Sequence, residues 1–481
     1  MNHPDWSYVV KFLIIFNCLH QIRPTLVSRE KIFKLKTQFL KNPLQTWMHR
    51  NLYLALDDLG ISYPLVNHSL QLPRQLTPRL SNLFLKAMSG TNINIAILGG
   101  SISAGATLYK DNNDDKIYFY ALQDWWNNSV KPITGSQMRI SNFALGATGS
   151  DFYAYCLDNY VHNSNVDMII WELSANDYHR FDNRDVPPTL PLELLTRNIL
   201  RLPNNPALIY VHFFRGKDYL QEGECNNLEE DGANYISKYY EIPSVSWRKL
   251  ICKKLEVLQK ELFSKIFSHD HSHPSILGHA QMGFLLVHLF RKMFTTIIDE
   301  IISNASDKDS VPPSSIILIA KTITETPRAI YTKSQLVSMF PVCFTFNVPS
   351  DGIMPFNKKK VLRVTRNDGY IISIAHGFLV RQDKTRGLRT KQPNKELHLE
   401  INVPPQMTPG LSDWMILIGS YSNFGGAIFF LDSRFSRVIE TEKYAYGSIV
   451  AAVATHVKPG KHILVMKSLR KGFFLSSVML G

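Results

Sequence analysis

A serine stands directly after a short apolar run, where it could act as a nucleophile. The run Ile93–Leu98 predicts a buried strand, because it is too short for a helix. Gly99 and Gly100 then allow a tight turn, and Ser101 lies at that turn. A strand that ends in a glycine turn with one exposed hydroxyl is a common way to present a nucleophile. An ordinary Gly/Ser loop is the alternative, and Ser103 is an alternative nucleophile.

Acyl transfer by a serine also needs a base and a group that orients the base. Asp270 and His273 are three residues apart, which in a helical turn places their Cβ atoms about 5–6 Å from each other. The carboxylate could then accept from one imidazole nitrogen and leave the other nitrogen for Ser101. This chemistry requires no cofactor and no metal. The alternative is a metal site that includes His269 and His271, because His and Asp are metal ligands.

The reaction also needs hydrogen-bond donors for a developing oxyanion. The apolar stretch 166–173 predicts a strand, and Asn176 follows it with a side-chain amide that can donate. The predicted strand at 139–145 leads into a Gly-Ala-Thr-Gly turn at 146–149, whose backbone N–H groups can point at an anion. The candidate donors are therefore the amide of Asn176 and the N–H groups of the turn at 146–149.

These residues require a sheet that brings several strand ends together. Predicted strands alternate with predicted helices over residues 91–304, which indicates an α/β domain. We expect a three-layer, doubly wound parallel sheet with helices on both faces. In such a sheet the chemistry gathers beyond the carboxyl ends of the strands, which is where the candidate residues fall.

The rest of the 481-residue chain divides into further segments. Residues 24–90 predict an N-terminal helical extension. Residues 305–316 are rich in Ser, Asp and Pro and predict a linker. Residues 317–481 contain many short apolar runs separated by turns, which predicts an all-β sandwich domain without a catalytic constellation.

The N-terminus predicts entry into the secretory pathway. Residues 6–19 form a mostly apolar stretch broken by Lys11, which suits a signal peptide or signal anchor at 1–23 better than a full membrane span. We therefore expect a secreted or membrane-anchored protein. Sequons that are compatible with a glycoprotein occur at Asn67, Asn127 and Asn304. The cysteines that could form two disulfides in that compartment are Cys156, Cys225, Cys252 and Cys343.

The composition narrows the class of partner. The formal net charge is +13, but the basic residues are scattered and no nucleic-acid-binding motif is present. A solvated basic face explains this charge, and a surface for anionic glycans or membranes is the alternative. The sequence contains no C-x-x-C pair and no nucleotide-binding glycine motif.

The segments that contain Ser101, the 146–149 turn, Asn176 and the Asp270–His273 pair resemble, in that order, the four characteristic blocks of the SGNH (GDSL-like) hydrolase superfamily. The resemblance implies a serine esterase or acyltransferase with Ser101 as nucleophile, His273 as general base and acid, and Asp270 as its orienting partner. It also implies an oxyanion hole formed by the N–H of Ser101, the amide of Asn176 and an N–H of Gly146, Ala147 or Gly149. The chain departs from the family pattern at Gly100, where an aspartate is usual, and at Ser174 and Ala175, where a glycine is often seen. The matching blocks are 98–102, 142–149, 172–177 and 270–274.

The Gly-Gly-Ser block and the C-terminal β-domain also resemble the eukaryotic, polysaccharide- or capsule-associated branch of this superfamily, as do residues 239–246. That branch implies a glycan O-acyl ester, chiefly an O-acetyl ester, as the substrate. The alternative is an SGNH fold without catalysis, kept for carbohydrate binding or interactions at the cell surface. An acyl-carrier-dependent transferase would need a donor site that the sequence does not show.

Overall fold

The computed structural model describes most of the chain. The predicted signal peptide or anchor lies outside the described residues, as does the linker segment 306–314. No helix in the described ranges is both long enough and apolar enough to cross a membrane. The described residues are 25–40, 47–49, 52–54, 61–108, 113–161, 165–177, 189–222, 225, 228–305, 315–318, 321–323, 326–331, 341–346, 362–376, 384–407, 410–443, 447–470 and 472–481.

A mostly parallel sheet lies at the centre of the N-terminal half. The strands of this half are β1 (Thr25–Ser28), β2 (Trp47–His49), β3 (Leu52–Leu54), β4 (Leu70–Gln71), β5 (Ile93–Gly99), β6 (Met138–Asn142), β7 (Met168–Glu172), β8 (Ala207–His212) and β9 (Ser244–Ser246). The central sheet has the order β4-β9-β8-β7-β5-β6, and only β4 is antiparallel to its neighbour. Strand β5 pairs with β6 on one side and β7 on the other, so the winding reverses at β5. Ligand crevices of doubly wound sheets open at this reversal.

Helices cover both faces of the sheet. They are α1 (Arg29–Leu40), α2 (Tyr63–His68), α3 (Pro78–Met88), α4 (Tyr118–Ser129), α5 (Lys131–Thr134), α6 (Ser150–Cys156), α7 (Asp158–Val161), α8 (Leu190–Leu200), α9 (Gly216–Glu222), α10 (Leu228–Tyr239), α11 (Trp247–Ile266) and α12 (Ile276–Ala305). Alternate residues of β5 enter different cores, because successive side chains of a strand point to opposite faces. Ile95 and Ile97 pack in the core that contains α4 and α12, and Ala96 and Leu98 pack in the core that contains α6 and α8.

The C-terminal half is built from antiparallel strands. They are β10 (Ser315–Leu318), β11 (Val342–Thr345), β12 (Leu362–Asn367), β13 (Ile371–His376), β14 (Lys384–Thr390), β15 (Glu396–Val403), β16 (Trp414–Tyr421), β17 (Gly426–Leu431), β18 (Arg434–Glu440), β19 (Ser448–Val457), β20 (Gly460–Ser468), β21 (Phe473–Leu475) and β22 (Ser477–Leu480). Strand β10 pairs with β1, and the others form the sheets β11-β22-β16-β19, β12-β15-β20-β17-β18 and β13-β14-β21. The prediction of a doubly wound α/β domain followed by an all-β domain is confirmed.

Some predicted elements differ from the structure. The apolar run at 473–479 forms two strands, because the chain passes from one sheet to another at Ser476. Ser315 and Ile316, at the end of the predicted linker, lie in β10.

The two halves are joined by a disulfide and by packing. Cys156, at the end of α6, is bonded to Cys343 of β11, and Cys225 is bonded to Cys252 within the α/β domain. Leu417, Val450 and Met479 of the β-domain are buried in the same apolar cluster as residues of α6. The precise domain boundaries given above stay predictions.

Candidate active site

Ser101 lies in a turn, residues 99–103, that directly follows β5 and is here called the nucleophile turn. The Ala104 N–H donates to the Gly100 carbonyl at 3.0 Å, and the Ala106 N–H donates to the Ser101 carbonyl at 2.9 Å. These bonds close the chain tightly behind the strand and leave the Ser101 side chain half-buried at the end of the sheet. The turn therefore presents one hydroxyl at the point where the winding reverses.

A buried carboxyl group, that of Glu172, supports the nucleophile turn. Glu172, at the end of β7, is fully buried, and its Oε2 accepts from the Ser103 hydroxyl at 2.8 Å, the Ser103 N–H at 3.2 Å and the Gly100 N–H at 3.3 Å. Burial raises the pKa of Glu172 to about 8, although these hydrogen bonds lower it. Ser103 is also fully buried and bonds Tyr118, so it supports the turn and is not an accessible nucleophile.

The aspartate and histidine lie together in a closed loop, residues 268–273, here called the base loop. A bridge between Phe267 and Pro274 closes the loop, which is therefore not the helical turn that the spacing predicts. Asp270 Oδ1 accepts from the N–H groups of Ser272 at 2.9 Å and His273 at 3.0 Å. Burial favours a raised pKa for the Asp270 carboxyl, but the hydrogen bonds and charge of His273 and the backbone donors outweigh it and hold this pKa well below its usual range.

Three predicted residues form a continuous hydrogen-bonded chain. His273 Nδ1 lies 2.5 Å from Asp270 Oδ2, and His273 Nε2 lies 2.8 Å from Ser101 Oγ. An ionised Asp270 accepts the Nδ1 proton, which leaves Nε2 as the acceptor for the serine hydroxyl. The arrangement can remove a proton from Ser101 and return it to a leaving group.

Asn176 lies across Gly100 and reaches the glycine turn, residues 146–149. A Cβ on Gly100 would lie 1.6 Å from Asn176 Nδ2, so only glycine leaves room for this amide. Asn176 Nδ2 donates to the Thr148 carbonyl at 2.9 Å. The aspartate expected at position 100 from the family pattern is therefore incompatible with this placement of Asn176. The Asn176 amide thereby connects the segments that follow three neighbouring strands, β5, β6 and β7.

The glycine turn lies beside the nucleophile turn. The Leu145 N–H donates to the Gly99 carbonyl at 3.0 Å, which places Gly146 just beyond the end of β5. The carbonyl of the Thr148–Gly149 peptide faces Asn176, and the C=O and N–H of a trans peptide point in opposite directions. The Gly149 N–H therefore points away from Asn176, which leaves Gly146 and Ala147 as the candidate donors of this turn.

Two acidic residues of the site have no role in the sequence-based hypothesis. Glu172 supports the nucleophile turn, and Asp177 accepts from the Ser150 N–H at 2.7 Å and the Ser150 hydroxyl at 2.8 Å, which fixes the start of α6. The sequence signal that could have identified Glu172 is a glutamate at the end of an otherwise apolar predicted strand. His269 and His271 are exposed, and among the described residues no group of three potential ligands could hold a metal ion.

No protein-family model matches the chain, and no curated protein does so either. A solved two-domain esterase (CEX) active on acetylated mannans has a similar fold, with a TM-score of 0.57 and 17% identity over 86% of this chain and 97% of that one. The same esterase co-crystallized with mannopentaose gives the same values. A catalytic mutant of the acetylxylan esterase Axe2 from Geobacillus stearothermophilus has a TM-score of 0.33 at 15% identity, over 43% of this chain and 96% of that one.

The likeness to the two-domain esterase covers both halves of the chain and shows a shared fold. The predicted doubly wound α/β fold with a following all-β domain is thereby confirmed. The eukaryotic, capsule-associated subtype stays a prediction.

Proposed function

We propose that this protein is a serine ester hydrolase that removes acyl groups, chiefly O-acetyl groups, from glycans. The observation that carries the proposal is the continuous pair of hydrogen bonds from Ser101 through His273 to Asp270, 2.8 and 2.5 Å long. Such a chain supplies a nucleophile, a base and an orienting carboxylate in one line.

In the first half-reaction Ser101 Oγ attacks the ester carbonyl carbon while its proton passes to His273 Nε2. The negative charge that develops on the carbonyl oxygen is stabilised by the N–H of Ser101, an N–H of the glycine turn and the Asn176 amide. An amide NH2 group carries two hydrogens, so its bond to Thr148 is compatible with a bond to the oxyanion. The intermediate then expels the alcohol, which takes the proton from His273, and an acyl-serine remains.

In the second half-reaction water attacks the acyl-serine. His273 Nε2 takes a proton from the water and returns it to Ser101 Oγ as the carboxylic acid leaves. Ionised Asp270 keeps the imidazole in the required tautomer and stabilises its charged form. Transfer of the acyl group to a second hydroxyl would use the same residues, and the reaction products distinguish the two outcomes.

The choice of glycan esters rests on two supports. A solved structure with the same fold is an esterase active on acetylated mannans, and the sequence resemblance implies a polysaccharide-associated branch of the superfamily. We also propose a secretory location, because the two disulfides suit an oxidising compartment. The sequon asparagine Asn67 is exposed. The Asn127 side chain, by contrast, donates through Nδ2 to the Met138 carbonyl and accepts through Oδ1 from the Met138 N–H, which favours Asn67 for glycosylation.

Acetate release from acetylated mannan and acetylated xylan tests the proposal. We expect the wild type to release acetate and Ser101→Ala to release it roughly 10⁶-fold more slowly. Ser103→Ala is the matched control, because it removes a neighbouring hydroxyl that bonds Glu172 and Tyr118. It should keep activity at a reduced level. A folded wild type that binds these glycans but releases no acetate would favour the alternative of a carbohydrate-binding protein.

A further inference from the structure

We propose that Ser448 of the β-domain is a positioning residue for the glycine turn, so that the second domain completes the oxyanion site. This inference rests on the proposed function. The Ser448 N–H and hydroxyl both donate to the Ala147 carbonyl, at 3.0 and 3.1 Å. Residues that are 301 positions apart in the sequence thereby meet at the active site.

The glycine turn needs such support because of its backbone conformation. Ala147 has a φ of +55°, in the left-handed region that disfavours a residue with a Cβ. A conformation of this kind persists only where the surroundings fix it. Ser448 fixes the peptide after Ala147 from the β-domain side, and Asn176 fixes the next peptide from the α/β side. The effect reaches Gly146 because the Thr148 N–H, in the peptide that Ser448 holds, donates to the Leu145 carbonyl at 3.3 Å, and that carbonyl shares a peptide with the Gly146 N–H.

Ser448 is itself held firmly. The neighbouring Gly447 N–H donates to the Ser422 hydroxyl at 2.9 Å, and the Ser422 N–H donates back to the Gly447 carbonyl at 2.9 Å. Ser448 then begins β19 and pairs with Tyr421 of β16. The donor therefore comes from the edge of a folded sheet, which is a rigid platform.

The β-domain also packs against helix α6, which follows the glycine turn. Helix α6 begins at Ser150, packs against strands β11, β19 and β22, and is bonded at its end to β11 through Cys156 and Cys343. Val450, two residues after Ser448, is buried in the same cluster as Phe152 of α6. The same strand thus contacts both the turn and the helix, and displacement of one domain would move the oxyanion donors. Oxyanion stabilisation depends on donors that are placed before the charge develops.

The test compares full-length Ser448→Ala with wild type on p-nitrophenyl acetate, a substrate too small to report glycan binding by the β-domain. We expect kcat to fall roughly 10-fold with KM nearly unchanged, because misplaced donors weaken the transition state more than the ground state. The rate of covalent reaction with a fluorophosphonate should fall in parallel. Backbone amides of residues 143–149 should exchange with deuterium faster. Ser448→Thr keeps the hydroxyl and should restore most of the lost kcat.

Ser436→Ala is the matched control. Ser436 is a half-buried serine of the same domain that donates to the Val453 carbonyl and does not belong to the site. This variant should keep the wild-type kcat and the wild-type exchange at 143–149. If the wild type is active and Ser448→Ala matches it in kcat and in deuterium exchange at 143–149, this inference is overturned and the proposed function is not. A wild type that neither hydrolyses the ester nor reacts with the probe overturns the proposed function and this inference with it.

Discussion

Two Asp–His pairs with similar local chemistry lie in the two halves of the molecule. In the base loop, Asp270 Oδ2 lies 2.5 Å from Nδ1 of His273, and Oδ1 accepts backbone N–H groups. In the β-domain, Asp432 Oδ2 lies 2.7 Å from Nδ1 of His462, and Oδ1 accepts the Ile463 N–H at 2.8 Å. Each carboxylate orients an imidazole and is itself held by the backbone.

The pairs differ at the second ring nitrogen. His273 Nε2 faces the Ser101 hydroxyl at 2.8 Å, whereas His462 Nε2 faces the Lys458 carbonyl oxygen at 2.9 Å. A hydroxyl can give up its proton to the ring, but a carbonyl oxygen can only accept one. An Asp–His pair is therefore no evidence of catalysis by itself, and the group at Nε2 decides what the pair can do.

The largest expected effect separates the two pairs directly. Asp270→Asn should lower kcat/KM on p-nitrophenyl acetate by roughly 10³–10⁴-fold, because the amide favours the wrong tautomer and cannot stabilise the charged imidazole. Asp432→Asn makes the same chemical change at the pair without a serine. It should stay within about twofold of wild type, as expected for an exposed position remote from the site. Equal losses in both variants would show that the comparison is wrong.

A smaller effect concerns the space that Asn176 occupies. Gly100→Ala places a Cβ where the Asn176 amide lies, so the amide must move and the oxyanion loses a donor. We expect kcat to fall roughly 10²-fold. Asn176→Ala should cost a similar factor, and the double variant should be no worse than Asn176→Ala alone, because both changes remove the same interaction. Fully additive losses would mean that Gly100 acts in some other way.

Glu172 affects stability, because it holds the turn that presents Ser101 to His273. Its pKa is about 8 in the folded protein, against an ordinary value of 4.5. Between these values the folded state holds the extra proton, so the stabilising contribution is complete below pH 4.5 and is lost as the pH rises towards 8. The free energy of unfolding should fall by up to about 1.4 kcal/mol per pH unit from this group.

Glu172→Gln removes the titration and keeps an oxygen that can accept from Ser103. Its stability should therefore fall less steeply than that of wild type when denaturant unfolding is measured at pH 5.5, 6.5 and 7.5. Glu300→Gln, a change at an exposed glutamate, serves as the control and should keep the wild-type slope. Parallel slopes for wild type and Glu172→Gln would show that Glu172 is ionised in the folded protein.

The sequence predicts the α/β domain well because local signals and topology agree there. Ser101 and Asn176 each follow an apolar strand, the glycine turn follows the mixed strand β6, and parallel strands bring such ends to one edge. The spacing of Asp270 and His273 indicates their partnership, although the loop that joins them is not helical. Contacts between distant segments leave no comparable signal.

The contact of Ser448 with Ala147 joins residues 301 positions apart, and the pairing of Asp432 with His462 depends on strand register. The substitution at Gly100 is visible in the sequence as a departure from the family pattern. Its cause, the amide of Asn176 lying over the glycine, appears only when the side chains are placed in space.

The most direct test of the central claim is the site of covalent labelling. A fluorophosphonate probe reacts with a serine only where that serine is activated as a nucleophile, and peptide mass spectrometry locates the adduct. We predict one adduct, on Ser101, in the folded wild type, and no adduct in Ser101→Ala. A folded wild type that does not react, or a Ser101→Ala variant that reacts as fast as wild type, would contradict the account.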